Sequence, residues 1–501
     1  MNQLSTSVEI YRLKAHSRQI AGALVLAAIS MVAAYLVFAY PPGVFAFLYC
    51  AVLAFVIVTW YRPIAGVAMV LGLTLVIEQV NFTPEFVPFT RGLPLYDNLS
   101  NITPFGPLVA SALELMLVTV VATVLVRIVI RRERTWRPNP LMWPIIAFSA
   151  ALVMWLALGM LRGGSATVAL WELRALAYFC LLAILVPQIL QNRSDVQLVM
   201  WTAVLAITFK AFQGFYNYAV ILKGDLSGVQ AITGHEDALF FGVLIVMLLG
   251  LAAYRASKGK LALLLLSAPI IGFTFVATDR RAAYVALALG IVVLAVMLLT
   301  DKSKRSLVAA VGIPLLITTV LVLGAGWNSE GAIGKPARAI KSITNPASTE
   351  DKQSNQYRKV EEFNLIMTIK QSPLVGIGFG RPYQMAGKLD KIDFSLAAYI
   401  PHNEIFWLWA KMGTIGFAVF WAMGGFILAY AVSVFRTMRD PYYKIIAATV
   451  GALVVMQMTV SYADLQLTFP RNMVLLGVMV GVLARLAQLD DPGQGVRRAY
   501  R

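Results

Sequence analysis

The feature that most constrains this chain is a series of long apolar runs. Stretches of about 18–24 apolar residues recur along the sequence, and each could cross a hydrocarbon core of about 30 Å as a helix. Because the bilayer core offers the backbone no water, such runs must satisfy their own hydrogen bonds as helices. The alternating pattern of barrel strands is absent. The sequence therefore predicts an all-α fold, a polytopic transmembrane helical bundle.

Hydropathy divides the 501 residues into about 12–14 spans. Composition supports this division, because 59% of the residues are hydrophobic and 13% are charged, against about 25% charged in soluble domains. The run that begins at Ile405 is long enough to include a short surface turn before its span. The predicted spans are Ile20–Tyr40, Val44–Trp60, Ile64–Val80, Pro107–Ile130, Leu141–Leu161, Ala166–Leu190, Leu198–Leu222, Ala238–Tyr254, Leu261–Ala277, Tyr284–Thr300, Leu307–Gly326, Ile405–Phe435, Ile445–Val460 and Met473–Leu489.

These runs predict four parts of the chain. Residues 1–326 form an N-terminal transmembrane bundle of about 11 spans. Residues 327–401 form one large external loop, residues 402–489 the C-terminal transmembrane helices, and residues 490–501 a basic cytoplasmic tail.

The external loop carries two local patterns. Apolar residues at helical spacing predict short amphipathic helices on the outer surface. The glycine-rich stretch Ser372–Arg381 lacks the Lys-Ser/Thr of a phosphate-binding loop, so alone it predicts a turn that brings backbone close to a ligand or a helix. The positions at helical spacing are Tyr357, Val360, Phe363, Asn364 and Met367.

Basic residues fall mainly on alternate connections between the spans. Lysine and arginine accumulate on the cytoplasmic side, so we predict that the basic connections and both termini are cytoplasmic. The net charge of +17 then reflects topology, and no nucleic-acid partner is predicted. The basic connections hold Arg12, Lys14, Arg18, Arg62, Arg127, Arg131, Arg132, Arg134, Arg137, Arg193, Arg255, Lys258, Lys260, Lys302, Lys304, Arg305, Arg436, Arg439, Lys444, Arg485, Arg497, Arg498 and Arg501. The opposite connections hold Arg91, Arg162, Lys223, Arg280, Arg281 and Arg471.

Metal and disulfide chemistry find little support in the sequence. Cys50 and Cys180 both lie in apolar runs, which favours packing roles. With only His16, His235 and His402 as histidines, we predict no metal site and no cofactor.

Two arginines stand between apolar runs with almost no loop around them. Arg280 and Arg281 follow Asp279 at the start of a predicted span. Arginine at membrane depth is costly and often marks a ligand site, and its planar fork suits phosphate. The alternative is lipid-headgroup anchoring with pairing to Asp279. Arg174, near the outer end of the sixth span, is a similar candidate whose alternative is a structural salt bridge to a neighbouring helix.

His402 is the leading candidate for catalysis. It opens a span on the predicted outer face, next to Asn403 and Glu404. Imidazole can take a proton from a hydroxyl at neutral pH, although an isolated histidine is more often structural. Further candidates for the site are Asn403, Glu404, Arg358, Arg381, Tyr284 and His235. Lys210, Lys411, Glu78 and Glu114 are given no role, because charges near span ends can simply reach for water.

Taken in order, these motifs resemble the O-antigen ligase and polymerase superfamily. The resemblance covers roughly Thr278 to Phe420, with Arg174 upstream. Arg280 stands where the family usually has serine, so Arg281 better matches the family's arginine. The motifs are Arg281 before a span, the segment Pro373–Gly380, His402 with Asn403, and the glycine pair Gly413 and Gly416.

The resemblance implies a membrane-embedded, metal-independent glycosyltransferase of a bacterial inner membrane, with its site on the periplasmic, outer face. The implied donor is a polyprenyl-diphosphate-linked glycan, and the acceptor is a glycan or a lipid core. His402 would act as base on the acceptor hydroxyl, while Arg281, Arg174 and Arg280 would hold the departing diphosphate. These roles predict an inverting single displacement.

Two other classes remain open on the residues alone. A lipid-linked glycan flippase or other secondary transporter would suit the many spans and the intramembrane Lys210 and Lys411, but no two-fold hydropathy repeat is evident. A structural membrane scaffold would leave Arg280, Arg281 and His402 unexplained. Ligase and polymerase are not separated, and sugar identity, oligomeric state and partner proteins are not predicted.

Overall fold

The computed structural model describes residues 42–79, 89–90, 93–98, 110–131, 137–226, 229, 231–327, 337, 341, 349–390, 392 and 394–490. The predicted first span Ile20–Tyr40 and the basic tail from residue 491 lie outside these residues. Helices dominate the described chain, and no strand occurs within it. The helices are α1 (Pro42–Tyr61), α2 (Pro63–Val76), α3 (Ala112–Arg131), α4 (Met142–Leu161), α5 (Ala166–Ile189), α6 (Arg193–Tyr216), α7 (Asp237–Tyr254), α8 (Lys258–Ala277), α9 (Arg281–Thr300), α10 (Ile313–Gly326), α11 (Thr349–Gln371), α12 (Glu404–Thr437), α13 (Pro441–Ala463) and α14 (Pro470–Leu489).

Ten helices within the described ranges are long and apolar enough to cross a membrane. They comprise α3 to α9 and α12 to α14, with α6 continuing to Ile221. Shorter apolar helices occupy Cys50–Tyr61 and Pro63–Val76, and α10 has 14 residues. The predicted all-α polytopic bundle is confirmed.

The turns between helices lie at two ends of the bundle. At one end, which we call the basic end, ion pairs between an arginine or lysine and an aspartate connect neighbouring turns. The other end, which we call the site end, holds the turn between α4 and α5, the turn between α8 and α9, and the turn between α13 and α14. The pairs at the basic end are Arg62 Nη2 to Asp195 Oδ1 at 2.6 Å, Arg193 Nη1 to Asp440 Oδ2 at 2.7 Å and Lys444 Nζ to Asp301 Oδ2 at 3.1 Å.

The glycine-rich loop that follows α11 inserts between α4, α5 and a break in α12. The break is at Gly413, whose φ of 61° and ψ of −177° interrupt the helix. The loop takes up the freed backbone groups, because Gly378 N–H donates to the carbonyl of Lys411 at 2.9 Å and Thr414 N–H donates to that of Pro373 at 2.8 Å. The short segment of α12 before the break is buried rather than exposed, with Trp407 at 0%. The glycine-rich stretch therefore brings its backbone close to a helix, which is one of the two roles that the sequence predicted for it.

Helix α11 covers the site end as one helix of 23 residues. Its buried face differs from the apolar face expected from the sequence. Glu361, Asn364 and Thr368 are at most 2% exposed, whereas Phe363 is 46% and Ile366 is 37% exposed. The helix therefore buries these polar side chains together with Leu365 and Ile369 and leaves two large apolar side chains exposed.

We expect Gly413→Ala to lower the thermal stability of the purified protein. A β-carbon there would collide with the backbone of Leu374 and Gly376, and its positive φ suits glycine. Such strain costs about 1–3 kcal/mol. Gly424→Ala is the control, because a β-carbon at Gly424 meets nothing within 4 Å. Equal melting temperatures for the two variants, measured in detergent, would contradict the loop insertion.

Candidate functional site

The turn between α13 and α14 is fixed by one buried carboxylate. Glu404 is 0% exposed and accepts the N–H groups of Gln466 at 2.5 Å, of Leu467, and of Thr468 at 3.0 Å. Asn403 caps α12, because its Oδ1 accepts the N–H of Phe406 at 3.0 Å. Both residues hold backbone, and they set the positions of their neighbour His402 and of the turn.

His402 is held by Glu361 of α11. Its Nδ1 lies 3.1 Å from Glu361 Oε2, and its backbone N–H donates to the same oxygen at 2.9 Å. A carboxylate only accepts, so Nδ1 carries a proton, and in the neutral imidazole Nε2 keeps its lone pair. The side chain of Glu361 is 3% exposed and that of His402 is 26% exposed. The arrangement orients an imidazole base whose free nitrogen can be reached.

Four charged or titratable groups meet beside this pair: His235, Arg280, Arg358 and Asp464. His235 Nδ1 lies 3.9 Å from Asp464 Oδ2. Burial alone would raise the pKa of Asp464, but His235, Arg280, Arg358 and His402 together lower it. Burial, with the charges of Arg280 and Arg358, lowers the pKa of His235 to about 3. The two arginines therefore supply the positive charge at neutral pH, and His235 is neutral.

Three donors in this cluster are buried without a hydrogen-bond partner among the described residues. They are Arg280 Nε, Arg358 Nε and the Tyr357 hydroxyl. Tyr357 also packs edge-on against His402, with ring centroids 5.7 Å apart. Buried donors are almost always satisfied, so these three are expected to bind water, an ion or a ligand. Donors on two arginines suit an anion.

A fully buried ion network lies next to the turn that carries His235. Arg471 is 0% exposed, and its Nη1 lies 2.8 Å from Glu78 Oε2 and 2.6 Å from Glu236 Oε1. Its Nη2 lies 2.6 Å from Asp237 Oδ1. Lys210 pairs with Glu78 as well. Because Glu236 and Asp237 directly follow His235, the network fixes the turn that carries His235.

Arg281 and Tyr284 lie at the edge of the site. Arg281 Nη1 donates to Asn355 Oδ1 of α11 at 3.4 Å. The Tyr284 hydroxyl donates to the carbonyl of Val276 at 3.1 Å, which braces the turn between α8 and α9. Of the two adjacent arginines, it is Arg280 whose charge shifts the pKa of both Asp464 and His235, so Arg280 belongs to the cluster itself.

Arg174 has structural partners of the kind weighed for it in the sequence. Its Nε lies 3.1 Å from Glu114 Oε1, its Nη2 lies 3.3 Å from Asn98 Oδ1, and it stacks on Trp171 at 4.3 Å. Its place in a ligand site stays a prediction.

Lys411 and Glu172 form a buried pair that the sequence does not reveal. Lys411 Nζ lies 2.5 Å from Glu172 Oε1, and both side chains are 0% exposed. Lys411 also donates to the carbonyl of Arg381, and Glu172 accepts the N–H of Gly380 at 2.5 Å. The pair thus ties the glycine-rich loop to α5 and α12.

Sequence reasoning does not single out Glu361 or Asp464. A signal for Glu361 exists, because it stands four residues after Tyr357 and three after Arg358, which places all three on one helix face. For Asp464 the signal is weaker, since it is one polar residue in a turn on the predicted outer face. No group of three or more potential metal ligands occurs among the described residues.

Residues 262–421 match a protein-family model described as O-Antigen ligase. The matched range includes Arg280, Arg281, Arg358, Glu361 and His402. No curated protein matches the chain.

The match confirms the resemblance to the O-antigen ligase and polymerase superfamily. Together with the ten helices that are long and apolar enough to cross a membrane, it indicates a multi-pass membrane protein that contains a region similar to O-antigen ligases. His235, Asp464 and Arg471 lie outside the matched residues, so the fold adds them to the site.

We expect Lys411→Met to destabilise the protein strongly, because it leaves Glu172 buried without its partner. Breaking a buried pair costs about 3–5 kcal/mol. The double variant Glu172→Gln/Lys411→Met removes both charges and should recover part of that loss. Unfolding free energies of the two single variants and the double variant form the test. Strictly additive losses would contradict the pairing.

Proposed function

We propose that this protein transfers a glycan from a polyprenyl-diphosphate donor to a hydroxyl of an acceptor sugar. The observation that carries the proposal is the meeting of the His402–Glu361 pair with the unpartnered buried donors of Arg280 and Arg358. One half supplies a base, and the other supplies positive charge for an anion. Glycosyl transfer from a diphosphate needs both.

The proposed step is a single displacement at the anomeric carbon. His402 Nε2 takes the proton of the acceptor hydroxyl as its oxygen attacks. The bond between the anomeric carbon and the diphosphate oxygen breaks, and the electron pair leaves with the diphosphate. Arg280 and Arg358 meet the charge that develops, with Arg281 at the edge of the same site. Attack opposite the leaving group inverts the anomeric carbon.

Glu361 serves the base in this mechanism. It fixes the tautomer of His402 and stabilises the imidazolium that forms, as the carboxylate does in a catalytic triad. Asp464 stays ionised beside the imidazoles and limits the net positive charge of the site. No metal is required in this step, because the arginines provide the electrostatic stabilisation.

The proposal includes a location. The site end would face the periplasm, the basic end and both termini would face the cytoplasm, and the membrane would be a bacterial inner membrane. The charge asymmetry between the two ends supports this orientation.

The intramembrane lysines give no separate support for a transporter. Lys210 lies in the buried network with Glu78, and Lys411 lies in the pair with Glu172. Each lysine is buried beside a glutamate, as in a structural ion pair. Ligase and polymerase activity both remain compatible with the site, since they differ in the acceptor.

We expect His402→Ala to lower glycan transfer by about 10²- to 10⁴-fold, the usual contribution of a positioned general base. Glu361→Gln should lower it by a smaller factor, because the imidazole stays but loses its orienting charge. The measurement is transfer in proteoliposomes that contain a polyprenyl-diphosphate oligosaccharide and either more donor or a lipid-core acceptor.

Arg193→Gln is the matched control, because Arg193 pairs with Asp440 at the basic end. It should transfer at the normal rate. Product from donor alone would identify a polymerase, and product on the lipid core a ligase. Normal transfer by His402→Ala, or a trapped glycosyl–enzyme intermediate, would refute the mechanism. Donor crossing the bilayer without transfer would favour a flippase.

A further inference from the structure

The outward face of α11 carries large apolar side chains that a face in contact with water would not be expected to have. The exposed residues Lys352, Gln356, Lys359, Phe363, Ile366 and Lys370, which we call the outer stripe, are spaced alternately four and three apart. This spacing places them along one line of the helix. The stripe holds two large apolar side chains between lysines and no acidic residue.

The inward face of the same helix is mixed, because it buries Leu365 and Ile369 together with three polar residues. Glu361, Asn364 and Thr368 are buried, and each makes hydrogen bonds within the protein. A helix between a protein core and water keeps its large apolar residues inward and polar residues outward. The exposed Phe363 and Ile366 therefore indicate that α11 faces something less polar than water.

The end of α11 lies at the level of the membrane-spanning helices. Directly after it, the carbonyl of Leu374 accepts the N–H of Ile415 in α12 at 3.1 Å. The carbonyl of Val375 accepts the indole N–H of Trp155 in α4 at 2.6 Å. Leu374 is 63% exposed and Ile415 is 50% exposed, as expected of residues that face lipid. Ile366 is less than two helical turns before the end of α11 at Gln371.

We propose that the outer stripe docks α11 on the anionic phospholipid headgroups of the bilayer that the bundle crosses. Phe363 and Ile366 enter the interface, while Lys352, Lys359 and Lys370 contact phosphates. Basic amphipathic helices bind anionic membrane surfaces in this way, by apolar insertion and by attraction of lysine to lipid phosphate. The absence of acidic residues from the stripe makes it complementary to such a surface.

Docking would also act on the site. Arg358 and Glu361 both lie on α11 and face the protein. The position of α11 on the bilayer therefore sets the position of the Arg358 guanidinium and of the Glu361 carboxylate that binds His402. We infer that anionic lipid raises the activity, a consequence that rests on the proposed glycosyl transfer.

The contact can be measured without any activity. Phe363→Cys, in a Cys50→Ser background, would carry a bimane label in nanodiscs whose phospholipids have brominated chains, with or without phosphatidylglycerol. Ser354→Cys is the matched control, because Ser354 is exposed on the opposite side of α11. We expect quenching at position 363 to exceed that at 354 by about twofold or more, and to increase with phosphatidylglycerol.

Equal quenching at the two positions would overturn the docking. Quenching at position 363 that is the same with and without phosphatidylglycerol would overturn the role of anionic headgroups. These nanodiscs hold phospholipid alone, so a positive result does not depend on a glycolipid acceptor.

The effect on activity is tested with the triple variant Lys352→Gln/Lys359→Gln/Lys370→Gln. Wild-type transfer should rise with phosphatidylglycerol, and the triple variant should lose that rise. The control is Lys258→Gln/Lys302→Gln/Arg436→Gln, three exposed cations at the basic end, which should keep it. The same rise in both triple variants would overturn the regulation. Absent transfer in the wild type would refute the proposed function, and the quenching result would still decide the docking.

Discussion

The cost of burying charge governs the architecture of the site end. A charge removed from water must be paired or hydrogen-bonded, and a membrane bundle offers little water. Glu404 meets this need with backbone N–H groups, Arg471 with three carboxylates, and Lys411 with Glu172. Each of these contacts joins segments that are far apart in the chain. The same contacts that satisfy the charges therefore hold the helices in register.

The cationic cluster combines two kinds of group that the proposed reaction needs. Arg280 and Arg358 have buried Nε donors without a partner among the described residues, next to an imidazole that Glu361 orients. Buried donors of two arginines beside an oriented imidazole are placed where an anionic ligand would satisfy them. The site end thus combines a rigid, paired shell with donors that suit an anion.

The helices could be predicted from the sequence, because long apolar runs end at sharp polar turns. The prediction Leu141–Leu161 differs from the observed Met142–Leu161 by one residue. Partners across the bundle could not be predicted, since Lys411 and Glu172 are remote in sequence and nothing local links them. The face of α11 was equally hidden. The sequence predicted an amphipathic helix on the outer surface but not which side chains face the protein, because Glu361 is buried by a tertiary contact with His402.

The candidate residues divide in a similar way. His402, Arg280, Arg358 and His235 were found by residue type and position, and the fold brings them together. Asn403 and Glu404 share the motif of His402 but hold backbone. Such roles follow from tertiary contacts that no spacing encodes.

The most direct test of the account is the affinity of a polyprenyl diphosphate for the purified protein in nanodiscs. The comparison is wild type against Arg280→Gln/Arg358→Gln, with Arg193→Gln as control. Charge-assisted hydrogen bonds contribute about 1.5–3 kcal/mol each, so Kd should rise at least about tenfold in the double variant and stay unchanged in the control. Equal affinity in wild type and double variant would contradict the claim that these two arginines hold the diphosphate.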